Sequence, residues 1–141
     1  MLRRGVAIFI ALHGLIHLIG FAVPWKLAVF DGLPYSTSAV FGLVEMGDAG
    51  ARALAIVWLG TAVAFVVGGV AIWQRRGWAA GWTAASAVIS AVVCFLGLPS
   101  SAFGLLVDVV IVGAFVLLGP ARTRVTPLWS RTQPSSLHPP H

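Results

Sequence analysis

Acidic residues are almost missing from this chain. Asp31, Glu45, Asp48 and Asp108 are all it has, against nine lysines and arginines, and charged residues of both signs make up only 9% of the sequence. Soluble domains carry about a quarter charged residues, so an ordinary water-facing surface is excluded. With 59% apolar residues and a mean hydropathy of +0.96, the chain belongs in a membrane. Cysteine is equally scarce: Cys94 alone rules out an internal disulfide or a CxxC redox pair, and its place in an apolar run reads as that of a small packing residue. There is no G-x-S-x-G elbow, no H-E-x-x-H helix and no G-x-x-x-x-G-K-[ST] phosphate loop, which excludes the common hydrolase and ATPase designs. The net charge of +5 is no nucleic-acid signature either, because the arginines punctuate apolar runs instead of clustering into a patch.

What the chain does have is four apolar runs, at about residues 5–23, 51–73, 79–97 and 103–119. Crossing ~30 Å of hydrocarbon takes roughly 20 helical residues, so the pattern predicts an all-α membrane protein, an up-down bundle of four transmembrane helices. The last run is short and should stand nearly upright or lie in thinned lipid. Pro24, Pro99 and the Gly119-Pro120 pair mark helix ends, Asp48 is placed to N-cap the second helix, and Trp25, Trp73, Trp78 and Trp82 fall near the ends where indoles favour the interface.

Four crossings put Arg3, Arg4, Arg75, Arg76, Arg122, Arg124 and Arg131 on one side and leave Lys26 and Arg52 opposite. The positive-inside rule makes the arginine side cytoplasmic, giving an N-in/C-in membrane protein. The first run has a basic start like a signal peptide, but its length, its two histidines and the lack of a small-x-small cleavage site predict a retained helix. Residues 24–50 form an external segment holding three of the four acids, with turn signals at Asp31-Gly32 and Pro34 and a stretch from Thr37 to Val44 that suits either a short strand or a surface helix. Residues 120–141, rich in proline, serine and threonine, predict a disordered cytoplasmic tail, and its "LHPPH" is only a weak metal pattern.

Chemistry concentrates in "ALHGLIHLIGF", where His13 and His17 lie one turn apart on one helical face. Ionisable groups at membrane depth face the bundle interior and mark a functional site by default. Counting ~1.5 Å per residue from the presumed outer helix ends puts His17 roughly 10 Å deep, Asp108 about 9 Å, Ser90 about 12 Å, and His13 and Thr61 roughly 16 Å. Matched depth pairs His17 with Asp108, each making the other tolerable in hydrocarbon. The bland alternative is that these polar groups simply cross-link helices, at ~0.6 kcal/mol per hydrogen bond. His13 and His17 offer ligands to a metal ion, with Asp108 as the third; one imidazole could bind haem, although two on one face cannot clamp it axially; and quinone hydrogen bonding or proton relay asks less of the geometry. Small residues in "GWTAASAVISAV" and "LGTAVAFVVGGVA" permit tight packing around the site.

The strings "LHGLIHLIGF", "EMGDAGARALAIVWLGTAVAFVVGGVAI" and "FGLLVDVVIVGAF" resemble a family of small bacterial four-helix membrane proteins, some labelled transporter permeases, over roughly residues 5–119. A more distant likeness in architecture is to DoxX-type four-helix proteins, which implies proximity to quinone or redox partners. The sequence therefore leads to a small polytopic protein with a His13/His17/Asp108 pocket, flanked by Ser90 and Thr61, that binds or passes a small ligand, ion or proton. The rival expectations are an auxiliary subunit of a larger respiratory or transport complex, or a homo-oligomer, and a quinone- or haem-linked redox protein.

Overall fold

The computed structural model describes residues 1–118; the tail, with Arg122, Arg124, Arg131 and the "LHPPH" string, lies outside the described residues. It is all-helical apart from one two-stranded β pairing and an isolated bridge between Phe30 and Leu33, with α1 spanning Leu2–Ala22, β1 Ser38–Ala39, β2 Val44–Glu45, α2 Gly47–Trp73, α3 Ala79–Leu96 and α4 Ala102–Leu118. α1, α2 and α3 are each long and apolar enough to cross a membrane, and α4 is an apolar helix that is shorter.

Each of the first three helices buries a stripe at helical spacing: Ala7, Ile10, Gly14 and His17 on α1, Ala55, Ala62, Phe65 and Gly69 on α2, and Thr83, Ser86, Ser90 and Cys94 on α3. Small residues dominate these stripes, and small residues let backbones approach. A Cβ at Gly14 would sit 2.6 Å from Phe65 Cβ and 2.9 Å from the Ala62 carbonyl oxygen, and one at Gly69 would sit 2.7 Å from the Ala7 carbonyl oxygen. These contacts ascend α1 as they descend α2, so the two helices run antiparallel. Gly68 faces Thr83 while Trp58 faces Gly97, and Ser90 bonds Asp108 while Cys94 faces Gly104, so the α2–α3 and α3–α4 pairs are antiparallel as well. α1 and α2 share the most extensive contact, whereas α1 and α4 approach only sparsely along their backbones.

The connecting segment resolves the strand-or-helix alternative in favour of a strand, since β1 and β2 pair antiparallel with Ser38 opposite Glu45. At its tip Val40 and Phe41 hold positive φ values of 50° and 58°, a costly conformation for a β-branched residue. Their N–H groups donate to the Leu96 and Leu98 carbonyls, which fastens the tip to the end of α3. Asp48, expected as the N-cap of the second helix, instead sits in the first turn of α2, which begins earlier than expected with Met46 at the cap position and no side-chain cap. There its carboxylate favours the helix N-terminus and accepts a hydrogen bond from Tyr35, because the chain's tight turn at Gly47 takes Asp48 past the capping position.

Candidate functional site

Four helices converge on one buried polar cluster. His13 Nε2 lies 2.9 Å from Asp108 Oδ1, joining α1 to α4. His17 Nδ1–H donates to the His13 backbone carbonyl at 3.0 Å, and its Nε2 lies 2.5 Å from Ser90 Oγ on α3. Ser90 Oγ in turn lies 2.5 Å from Asp108 Oδ2. Asp108 and Ser90 are 0% exposed and His17 2%, so protein groups rather than bulk water must satisfy them. Phe65 of α2 is the apolar wall, its ring centroid 4.9 Å from that of His13 and 5.5 Å from that of His17.

The expected pairing of His17 with Asp108 is corrected here: His13 makes the direct contact, and His17 reaches the carboxylate through Ser90. Depth counting assumed that α1 and α4 end in one plane. With His13 nine residues from the end of α1 and Asp108 six from the start of α4, the contact requires α1 to project about one turn beyond α4. Ser90 is placed as its depth suggested. Thr61 is buried but not brought in, because its hydroxyl donates to the Val57 carbonyl one turn back on its own helix.

Cys94 belongs to the cluster although its sequence context read as packing. Its Sγ lies 3.6 Å from Asp108 Oδ2 and 3.9 Å from Ser90 Oγ. The available signal was its position one turn after Ser90. Ser101 donates to the Cys94 carbonyl and holds the junction between α3 and α4 at this level.

A pocket of about 510 Å³ opens above the cluster, towards the connecting segment. His13 and His17 form part of its floor, Trp58 and Leu54 of α2 and Phe103 and Gly104 of α4 line its sides, and Leu33, Pro34, Ser36 and Met46 of the segment reach over it. Below the cluster Ile10, Phe65 and Ala87 pack together, with Ile72, Ile111 and Val112 against them, and α3 adds two buried hydroxyls: Ser86 donates to the Trp82 carbonyl, and Thr83 Oγ1 has no hydrogen-bond partner among the described residues. A second hollow of about 280 Å³ lies on that lower side between α1 and α4, lined by Phe9, Ile10, Val110 and Ile111 among others. The polar site is thus reached from one end of the bundle.

The ligand atoms of His13, His17 and Asp108 all lie within 4.8 Å of one another, so they are the residues that could hold a metal ion. A zinc ion takes nitrogen and oxygen ligands at ~2.0–2.2 Å. Here both Nε2 atoms already hydrogen-bond within the cluster, and a cation would have to replace those bonds. The same engagement turns both imidazoles towards α3 and α4, so neither presents Nε2 to a haem in the pocket.

No family model, curated protein or solved structure matches this chain.

Proposed function

We propose that this chain is a small polytopic membrane protein that binds a small, mainly apolar ligand in the 510 Å³ pocket, with the ligand's polar end against the histidine floor. The observation that carries this reading is the pocket itself: a largely apolar cleft with a few convergent polar groups at one end is the usual form of a small-molecule site. Of the ring nitrogens at the floor, His13 Nδ1 is the one without a partner among the described residues, and it accepts a hydrogen bond from the ligand's polar end. An alkyl benzoquinone in its reduced quinol form, the redox reading, has this chemistry: an apolar tail and a hydroxyl that donates.

The test is to titrate purified protein with a short-chain alkyl benzoquinone kept reduced as the quinol, an alkyl phenol and a fatty alcohol. Saturable quenching of tryptophan fluorescence by the quinol is expected from Trp58 at the pocket wall. Stabilisation of about 2.7 kcal/mol at a hundredfold excess over Kd accompanies it. Both should be lost in Leu54→Trp, which fills the pocket. Failure of all three probes to saturate overturns the reading.

The bundle is proposed to span the bacterial cytoplasmic membrane four times, α4 included, with both ends cytoplasmic. Arg3 donating to the Trp73 carbonyl and Arg4 lying over the Trp73 ring gather the basic start of α1 and the end of α2 at one end, where Arg75 and Arg76 follow. A cysteine replacing Ser36 should label only from outside and one replacing Gly77 only from inside; labelling of both from one side overturns the orientation.

A second reading, an auxiliary subunit of a larger membrane complex, is favoured by the exposure of Leu27, Val29, Phe41 and Leu43 outside the helices. A stoichiometric partner retained in mild detergent would support it.

A further inference from the structure

The hydrogen bonds of the cluster demand one proton more than an ionised aspartate and two neutral histidines supply. His17 Nδ1 faces a backbone carbonyl, which can only accept, so that nitrogen carries a proton. In the neutral imidazole Nε2 is then an acceptor. Asp108 Oδ2, if ionised, is an acceptor as well. Both lie 2.5 Å from Ser90 Oγ, which owns a single hydrogen and can satisfy only one of them. The other contact would set two lone pairs against each other at hydrogen-bonding distance in a dry interior, where an unmade bond is expensive.

We infer that Asp108, Ser90 and His17 hold one additional proton in common, forming a relay with no net charge. In one state Asp108 Oδ2–H donates to Ser90 Oγ, Ser90 O–H donates to His17 Nε2, and both end groups are neutral. In the other, the Oδ2 proton has moved to Ser90 and the Ser90 proton to His17, leaving a carboxylate and an imidazolium. Two O–H bonds break, one O–H and one N–H form, and the serine has one hydrogen before and after. In both states His13 Nε2–H donates to Asp108 Oδ1, so each of the three side-chain contacts, His13–Asp108, Asp108–Ser90 and Ser90–His17, sets a donor against an acceptor. An extra proton on Oδ1 would not serve, since it leaves the Ser90–His17 contact unmade.

The surroundings favour sharing. The titratable groups facing the relay are His13 and His17 from α1, Cys94 from α3 and Asp108 itself from α4, while α2 presents Phe65 and Trp58. Among the described residues no lysine or arginine pairs with Asp108. The shared proton is therefore what neutralises the carboxylate at this depth. His17 also lines the pocket, whereas Ile10, Phe65 and Ala87 close the opposite side, so the relay takes up and releases its proton through the pocket. The site is that of the proposed ligand, but the proton count needs no ligand, and it is measured without one.

The experiment uses the full chain in lipid nanodiscs, with ¹⁵N-histidine spectra reporting His17 and infrared spectra reporting the protonated carboxyl of Asp108. His17→Gln and Asp108→Asn assign the two signals. The expected result at neutral pH is that the imidazolium fraction of His17 and the protonated fraction of Asp108 sum to one, and that warming shifts one at the expense of the other. Ser90→Thr, which keeps the hydroxyl, should preserve that exchange, and Ser90→Ala should abolish it. A neutral His17 beside an ionised Asp108, or both groups fully protonated, overturns the inference. The wild-type sum decides even where Ser90→Ala fails to fold.

Discussion

Two interfaces of α1 are built on opposite principles. Against α2, α1 is held by backbone proximity: Gly14 and Gly69 sit where any side chain would strike the facing helix. Against α4, it is held by a side-chain bond, His13 to Asp108, with a hollow above that bond and another below. A close-packed seam has a single arrangement, because displacement loses contacts all along it. A seam bridged at one level can part and re-form when the bridge does. The difference places the tight packing at α1–α2 and the open space beside α1–α4, where the 510 Å³ pocket and the smaller hollow lie on either side of the His13–Asp108 bond.

The comparison breaks most severely if α1–α2 tolerates bulk. Gly14→Val and Gly69→Val should each cost ~1–3 kcal/mol by overpacking, and the double variant more than either but less than their sum, since both spread the same seam. Unfolding in detergent measures it. A neutral double variant would mean that this interface has the same slack as the other.

A smaller effect tests the bridge. Asp108→Ala strands the His13 and Ser90 groups, and His13→Ala strands a carboxyl oxygen; each should destabilise by ~1–3 kcal/mol. The double variant should cost less than the sum, because both remove one bond. The coupling should exceed the ~0.6 kcal/mol average of interhelical hydrogen bonds in membranes, and it should exceed the His17–Asp108 coupling, which passes through Ser90. Additivity at His13 and Asp108 would show that the seam is held elsewhere.

The sequence carried the helices well and the site in part, for identifiable reasons. Apolar runs interrupted by Pro24, Pro99 and arginine pairs are a one-dimensional signal, and the helices α1 to α4 fall on those runs to within about one turn. His13, His17 and Asp108 were visible because ionisable groups stand out against hydrocarbon-like neighbours. Which histidine meets Asp108 depends on the relative heights of α1 and α4, and that is set by the connecting segment and the α3–α4 turn. Depth says nothing about direction around a helix, so Thr61 looked equivalent to Ser90 although its hydroxyl serves its own backbone. A pocket at His13 and His17 was expected, but its extent was not legible, since its walls come from every helix and from the segment between α1 and α2, and Asp108 is not among the residues that line it.

The smallest expected effect concerns the lid over the hollow seam. The segment that covers the pocket is fastened to α3 through Val40 and Phe41 and to the first turn of α2 through Tyr35, whose hydroxyl donates to Asp48 Oδ1 at 2.5 Å. That hydrogen bond, followed by slight desolvation and the nearby Asp48 charge, raises the Tyr35 pKa above its ordinary 10.0. A raised folded value means that the bond's contribution is complete below pH 10.0 and is lost as pH climbs through the folded pKa, where a phenolate would face a carboxylate. The pair is exposed, so solvent and salt screen it and its effect on global stability is small. Tyr35 is the only tyrosine in the chain, which makes tyrosinate absorbance a clean reporter. Asp48→Asn should lower the titration midpoint towards the ordinary value and loosen the lid without altering the His13–Asp108 coupling. An unchanged midpoint would remove Asp48 as the anchor, and a changed coupling would mean that the lid and the α1–α4 bridge are one structural unit instead of two.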